Sequence, residues 1–169
     1  ANAAAGEAVW VTREGAVGPL DPPLTLSPSA RRSLALSPDG SHLAVDVVGP
    51  RSTDIWVKQL PAGPFSRLTF DGSDNTRPTW SPDGGSVIYL SNRDGDTMSV
   101  WRQRADGSAP AERMLRLRVP ILEAHLSRDG RWLIYRANSA SGPDFYGLRI
   151  GPDTTPVPLL TSRFSEIGA

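Results

Sequence analysis

The strongest constraint on this chain is that it repeats itself about every 45 residues. Ser37-Pro38-Asp39-Gly40 returns as Ser81-Pro82-Asp83-Gly84 and as Ser127-Arg128-Asp129-Gly130, at spacings of 44 and 46 residues. A second landmark, Val9-Trp10, Ile55-Trp56, Val100-Trp101 and Phe145-Tyr146, sets its aromatic residues 46, 45 and 45 apart. A third, Arg67-Leu68, is echoed by Arg113-Met114 and Pro158-Leu159. Landmarks that keep one beat define a duplicated unit, and such units bury their apolar faces against their neighbours.

Each unit reads as short strands. An apolar run such as Leu34-Ala35-Leu36 ends at the Ser of the turn motif, and a second follows it: Leu43-Ala44-Val45, Val87-Ile88-Tyr89 and Leu133-Ile134-Tyr135. Pro presets φ in the turn, Asp accepts a hydrogen bond from a backbone N–H two residues on, and Gly takes the positive-φ position. An aromatic strand comes next (Asp54 to Gln59, Ser99 to Arg104, Asp144 to Arg149), then another Gly- or Pro-bearing turn and a last short strand near Leu68, Met114 and Leu159. Four short antiparallel strands per unit predict an all-β chain of four-stranded antiparallel propeller blades. No sustained 3.6-residue apolar period is present, so helices are expected to be nearly absent.

Composition narrows the function. Eighteen Lys and Arg against 18 Asp and Glu leave no net charge to draw in nucleic acid or an anionic membrane. The 16 Gly and 16 Pro lie between apolar runs, which is the mark of many turns rather than of disorder. With no cysteine there is no disulfide, thiolate zinc site or thiol nucleophile. No apolar stretch approaches the roughly 20 residues that span a bilayer, so no membrane insertion is expected. Ala1-Asn2-Ala3-Ala4-Ala5-Gly6 lacks the basic and apolar regions of a signal peptide and reads as a small-residue linker or the cut end of something longer.

Ser-Pro-Asp-Gly before an apolar strand, then Asp54-Ile55-Trp56-Val57 and Arg67-Leu68-Thr69, resembles the WD-like repeats of TolB-type propellers. Ser91-Asn92-Arg93-Asp94-Gly95 is similar to the same family, and the likeness covers roughly residues 8 to 164. Val9 to Gly15 resembles the opening of propellers attached to bacterial Ser/Thr kinases and other multidomain sensors, where such a hairpin supplies outer strands of the blade that closes the ring. The expected layout is a linker over 1–7 and a partial propeller over 8–169. Within it, 8–30 forms an outer hairpin, 31–70, 76–116 and 121–161 form three blades, and 162–169 lead into a further blade. Arg128, where the motif has Pro, is a mild departure. Rings of this family close with about six or seven blades, so the chain is expected either to be a fragment or to self-assemble through exposed blade edges. The resemblance implies a non-enzymatic module outside the cytoplasm that binds a protein or peptide partner and needs no cofactor. It equally allows the accessory or sensor propeller of a kinase or prolyl-oligopeptidase-like enzyme.

Each candidate site has a plainer role beside it. Asp39, Asp83 and Asp129 recur once per unit at a turn, so they are read as turn caps rather than catalytic carboxylates. Trp10, Trp56, Trp101 and Tyr146 hold equivalent places and are read as packing between blades. His42 and His125 occupy different repeat positions, so no metal cluster or catalytic triad is expected. Asn92-Arg93-Asp94-Gly95-Asp96 lacks the ligand alternation of a calcium loop and reads as a turn. The informative residues break the repeat. Ser33, Arg77 and Glu123, then Ala35, Thr79 and His125, share a face of the first strands, which in a propeller line the central channel. The loop from Asp71 to Arg77 is rich in hydrogen-bonding groups. Asp74, Asn75, Arg77, Thr79, Glu123 and His125 are therefore the expected ligand or partner contacts.

Overall fold

The computed structural model describes residues 6–20, 25–26, 33–95, 97–140, 142–151 and 155–160. Segments 1–5, 27–32 and 161–169, which hold most of the expected linker and the lead into a further blade, lie outside them. The N-terminal part forms β1 (Gly6–Glu7), β2 (Val9–Val11), β3 (Val17–Pro19) and β4 (Thr25–Leu26). β2 pairs with β3, and β1, within the expected linker, pairs with β4. Three four-stranded sheets follow. The first is β5 (Leu34–Leu36), β6 (His42–Val48), β7 (Thr53–Gln59) and β8 (Phe65–Arg67). The second is β9 (Asn75–Trp80), β10 (Ser86–Ser91), β11 (Ser99–Arg104) and β12 (Glu112–Leu115). The third is β13 (Ile121–Leu126), β14 (Trp132–Asn138), β15 (Pro143–Arg149) and β16 (Val157–Leu160). In each, neighbours in sequence are neighbours in the sheet, so each is an antiparallel meander with the form of a propeller blade. The described residues contain no helix.

One clasp closes the first hairpin of every blade. The hydroxyls of Ser37, Ser81 and Ser127 donate to Asp39, Asp83 and Asp129 at 2.6, 2.5 and 2.6 Å. Those carboxylates accept the backbone N–H two residues on at 3.0, 3.0 and 3.1 Å. The same hydroxyls accept from the N–H of His42, Ser86 and Trp132 at 2.9, 2.9 and 3.0 Å. Gly40, Gly84 and Gly130 turn the chain with φ of 73, 69 and 68°, a region that penalises any Cβ. The serine hydroxyl is the main reason each aspartate stays below its usual carboxylate range. These are turn caps.

The blades stack face to face. Val87 and Tyr89 point to one side of β10 and Ile88 and Leu90 to the other, the two-residue alternation of a strand. All four are at most 3% exposed because the middle blade is covered on both faces. On one side Trp80, Val87, Tyr89 and Trp101 meet Ala44, Ile55, Val57 and Leu68 of blade 1. On the other, Ile88, Leu90 and Val100 meet Ile121, Ala124, Leu133, Tyr135 and Leu148 of blade 3. Each large side chain fully buried in this way contributes about 1.5–3 kcal/mol. Leu20, just after β3, covers Leu43 and Val45 on the remaining face of blade 1. Of the aromatic repeat positions, Trp56, Trp101 and Tyr146 pack between units, and Trp10 is 44% exposed.

Polar groups brace the stack. Asp54, 5% exposed, pairs with Arg67 at 2.8 Å and accepts the Thr69 hydroxyl at 3.0 Å, and Thr69 Oγ1 accepts Ile55 N–H at 3.0 Å. These are the Asp, Arg and Thr of the family-like motif, and they join β7 to the segment after β8. Around Asn92-Arg93-Asp94-Gly95, Gly95 N–H closes on Asn92 O at 2.9 Å and Asp94 pairs with Arg113, so the described part of that segment is a braced turn.

Candidate binding site on the inner strands

Strands β5, β9 and β13 are the first edges of their sheets, and their outer hydrogen-bonding edges have no strand partner among the described residues. Where they come together they line a cavity of about 410 Å³. Four of the six expected contacts lie on its wall: Arg77, Thr79, Glu123 and His125.

Arg77 is held in an uncommon conformation. Its φ is +54°, the only positive value among the described non-glycine residues. Thr79 pairs with Ile88 and Thr76 with Leu90, so Arg77 and Pro78 bulge opposite Tyr89. Pro78 has no N–H for the ladder, which is why a bulge forms there. A left-handed residue directly before proline is strained, so its surroundings must hold it. They do: the Asp46 carboxylate, 2% exposed, accepts Arg77 N–H at 3.4 Å through one oxygen and Ser33 N–H at 3.0 Å through the other. One buried group thus ties the inner strand of blade 2 to the segment leading into that of blade 1. The Arg77 side chain is exposed, and its guanidinium has no ion pair or hydrogen bond among the described residues.

The other lining residues are more constrained. Thr79 donates to Ala124 O at 3.4 Å, across the junction of blades 2 and 3. Glu123 and Arg136 stand 2.7 Å apart with side chains 21% and 13% exposed, a charge contact whose angle departs from an aligned hydrogen bond. His125 is exposed. Trp80, 9% exposed, donates its indole N–H to Ala35 O at 2.9 Å and forms the floor with Pro38 beside it. Nothing in the repeat singles out Trp80 for this role. It is the apolar end of a strand whose equivalents are Leu36 and Leu126.

Asp74 and Asn75 fall outside the cavity. Asp74 accepts Thr53 N–H at 3.1 Å, and its own N–H donates to Asn92 Oδ1 at 2.8 Å, so it fastens the entry of blade 2 to blade 1. Asn75 is fully buried, with its amide donating to Asp71 and to Ser73 O at 3.1 Å each. It belongs to a packed network in which Arg93 pairs with Asp71, donates to Tyr89 Oη at 2.7 Å and lies 4.5 Å over the Trp101 ring. A loop rich in polar groups is here an internal brace.

Stacked four-stranded blades with a cavity along their inner edges define a β-propeller repeat protein. Residues 27–166 match the TolB beta propeller domain, and the chain belongs to that family. It is similar to a protein of Agrobacterium fabrum, with 36% identity over 73 residues, covering 43% of this chain and 25% of that one. TolB from Acinetobacter baumannii superimposes with a TM-score of 0.71 at 18% identity, over 90% of this chain and 37% of TolB. A prolyl endopeptidase superimposes with a TM-score of 0.56 at 15% identity, over 76% of this chain and 20% of the enzyme. The chain thus spans about a quarter of its curated relative and a little over a third of TolB.

Proposed function

We propose that this chain is a non-enzymatic interaction module that captures a protein or peptide segment along its inner strands, outside the cytoplasm as its TolB relatives suggest. The observation that carries this reading is the cavity itself. Three equivalent strands supply its walls, yet Ser33, Arg77 and Glu123, in equivalent places, differ in chemistry. Packing alone would favour similar residues there, whereas recognition of an irregular ligand needs different ones. The unpaired strand edges add backbone donors and acceptors that an extended segment can use.

The test is to pan a random peptide library over the immobilised chain and over its His125→Trp variant, which fills the cavity from an exposed position. Peptides are expected to enrich on the parent chain and to be lost on the variant. Equal enrichment on both would place binding elsewhere.

A second reading, self-association, draws on a different observation. Ser127, Trp132, Ile134, Gly147, Val157 and Leu159 form a nearly wholly apolar groove of about 270 Å³ on blade 3. The accessory role in a larger enzyme rests only on the likeness to prolyl endopeptidase, which shows the fold alone.

A further inference from the structure

Among the described residues the titratable groups on the cavity wall are Arg77, Glu123 and His125. Glu123 is spent on Arg136, 2.7 Å away. Among the described residues Arg77 has no counter-charge, although Asp46 lies close enough to accept its backbone N–H. That carboxylate serves the main chain, so the guanidinium is left facing the cavity as an uncompensated cation. Pro38 lines the same cavity with Trp80 beneath, while Leu34 and Leu36 share a face with Val45 and Leu43 on the other side of blade 1. An uncompensated guanidinium next to an exposed apolar wall is matched by a carboxylate flanked by an apolar side chain.

We propose that the inner-strand cavity selects a peptide carrying a carboxylate next to an apolar residue, with the carboxylate held by Arg77 and the apolar side chain against Pro38 and Trp80. The proposal rests on the reading of this cavity as the binding site and adds the class of ligand. The strain at Arg77 fits this role: Asp46 holds its conformation against the restriction set by Pro78, and strained residues of this kind gather where a side chain must be aimed. The Glu123 carboxylate stands on the same wall and opposes an incoming carboxylate.

The experiment is fluorescence anisotropy with a labelled Gly-Leu-Glu-Leu-Gly amide and its Gln counterpart. The Glu peptide is expected to bind about tenfold more tightly than the Gln peptide, the scale of one hydrogen bond to a charged group. Arg77→Asn removes the cation, and Asn tolerates the left-handed backbone. It is expected to erase that preference, bringing the Glu peptide down to the affinity of the Gln peptide. Glu123→Gln is expected to tighten the Glu peptide, a gain that a merely structural pair would not give. Melting curves of both variants confirm that they fold.

Equal affinity for the two peptides, or equal loss of both in Arg77→Asn, overturns the carboxylate assignment. If both peptides bind equally and His125→Trp abolishes both, the cavity is still the site and only the ligand class is wrong. If neither peptide binds while library peptides do, the ligand class again falls alone. Binding that persists in His125→Trp overturns both readings.

Discussion

Burial pushes the Tyr89 phenol up to about 12, with Asp71 adding to the rise and Arg93 opposing it. In the unfolded chain the same group titrates near about 10. Because the folded value is the higher, Tyr89 supports folding fully below pH ~10, and this support is lost as the pH rises through about 12. Urea unfolding followed from pH 9 to 12 should show stability falling by roughly 2–3 kcal/mol. Tyr89→Phe should flatten much of that slope, and Tyr135, also raised by burial, should leave a remainder. At this scale the sequence was informative where residues break the repeat: Arg77, Thr79, Glu123 and His125 share one wall because equivalent strand positions share one face. It misled at Asn75, because a fully buried amide and a ligand-binding amide look alike until their partners are known.

The hairpin clasp makes the strands legible. The third strands begin and end within a residue of the expected positions: Thr53–Gln59, Ser99–Arg104 and Pro143–Arg149. Three separate hydrogen bonds set the turn, and all three survive in blade 3, where Arg128 replaces proline. Proline there would reduce the freedom of the unfolded chain without touching any of these bonds. Arg128→Pro is expected to stabilise the chain by about 0.5–1 kcal/mol, read as a higher urea midpoint with an unchanged slope. A lower midpoint would mean that the third clasp is not equivalent to the other two. Pro78 marks the break in β9, but the left-handed turn at Arg77 was not legible, since it depends on how Asp46 reaches across from blade 1.

Across the whole molecule, stability comes from blade against blade, and the apolar groove on blade 3 lies on a face of the same kind. Gly147 occupies the place held by Val57 in blade 1 and Arg102 in blade 2, one residue after Trp56, Trp101 and Tyr146. A Cβ at Gly147 would meet Trp132 and Leu159 at 3.4 Å, so any longer side chain must run along the groove. If the groove joins copies of this chain, sedimentation equilibrium should show associated species that Gly147→Arg reduces to monomer. A monomeric parent chain would dismiss self-association. The stacking order was readable from the repeat, but the groove was not, because it arises from a missing side chain rather than a present one.

The clasp has a consequence for how such a chain changes over generations. Each turn is closed by its own serine, aspartate and glycine, so a duplicated segment inherits its hairpin intact while its other positions drift. Ser33, Arg77 and Glu123 hold one place in the repeat and are neutral, basic and acidic. The three inner strands thus make an asymmetric surface on a repeated frame, and exchanging a single inner strand should leave every clasp in place.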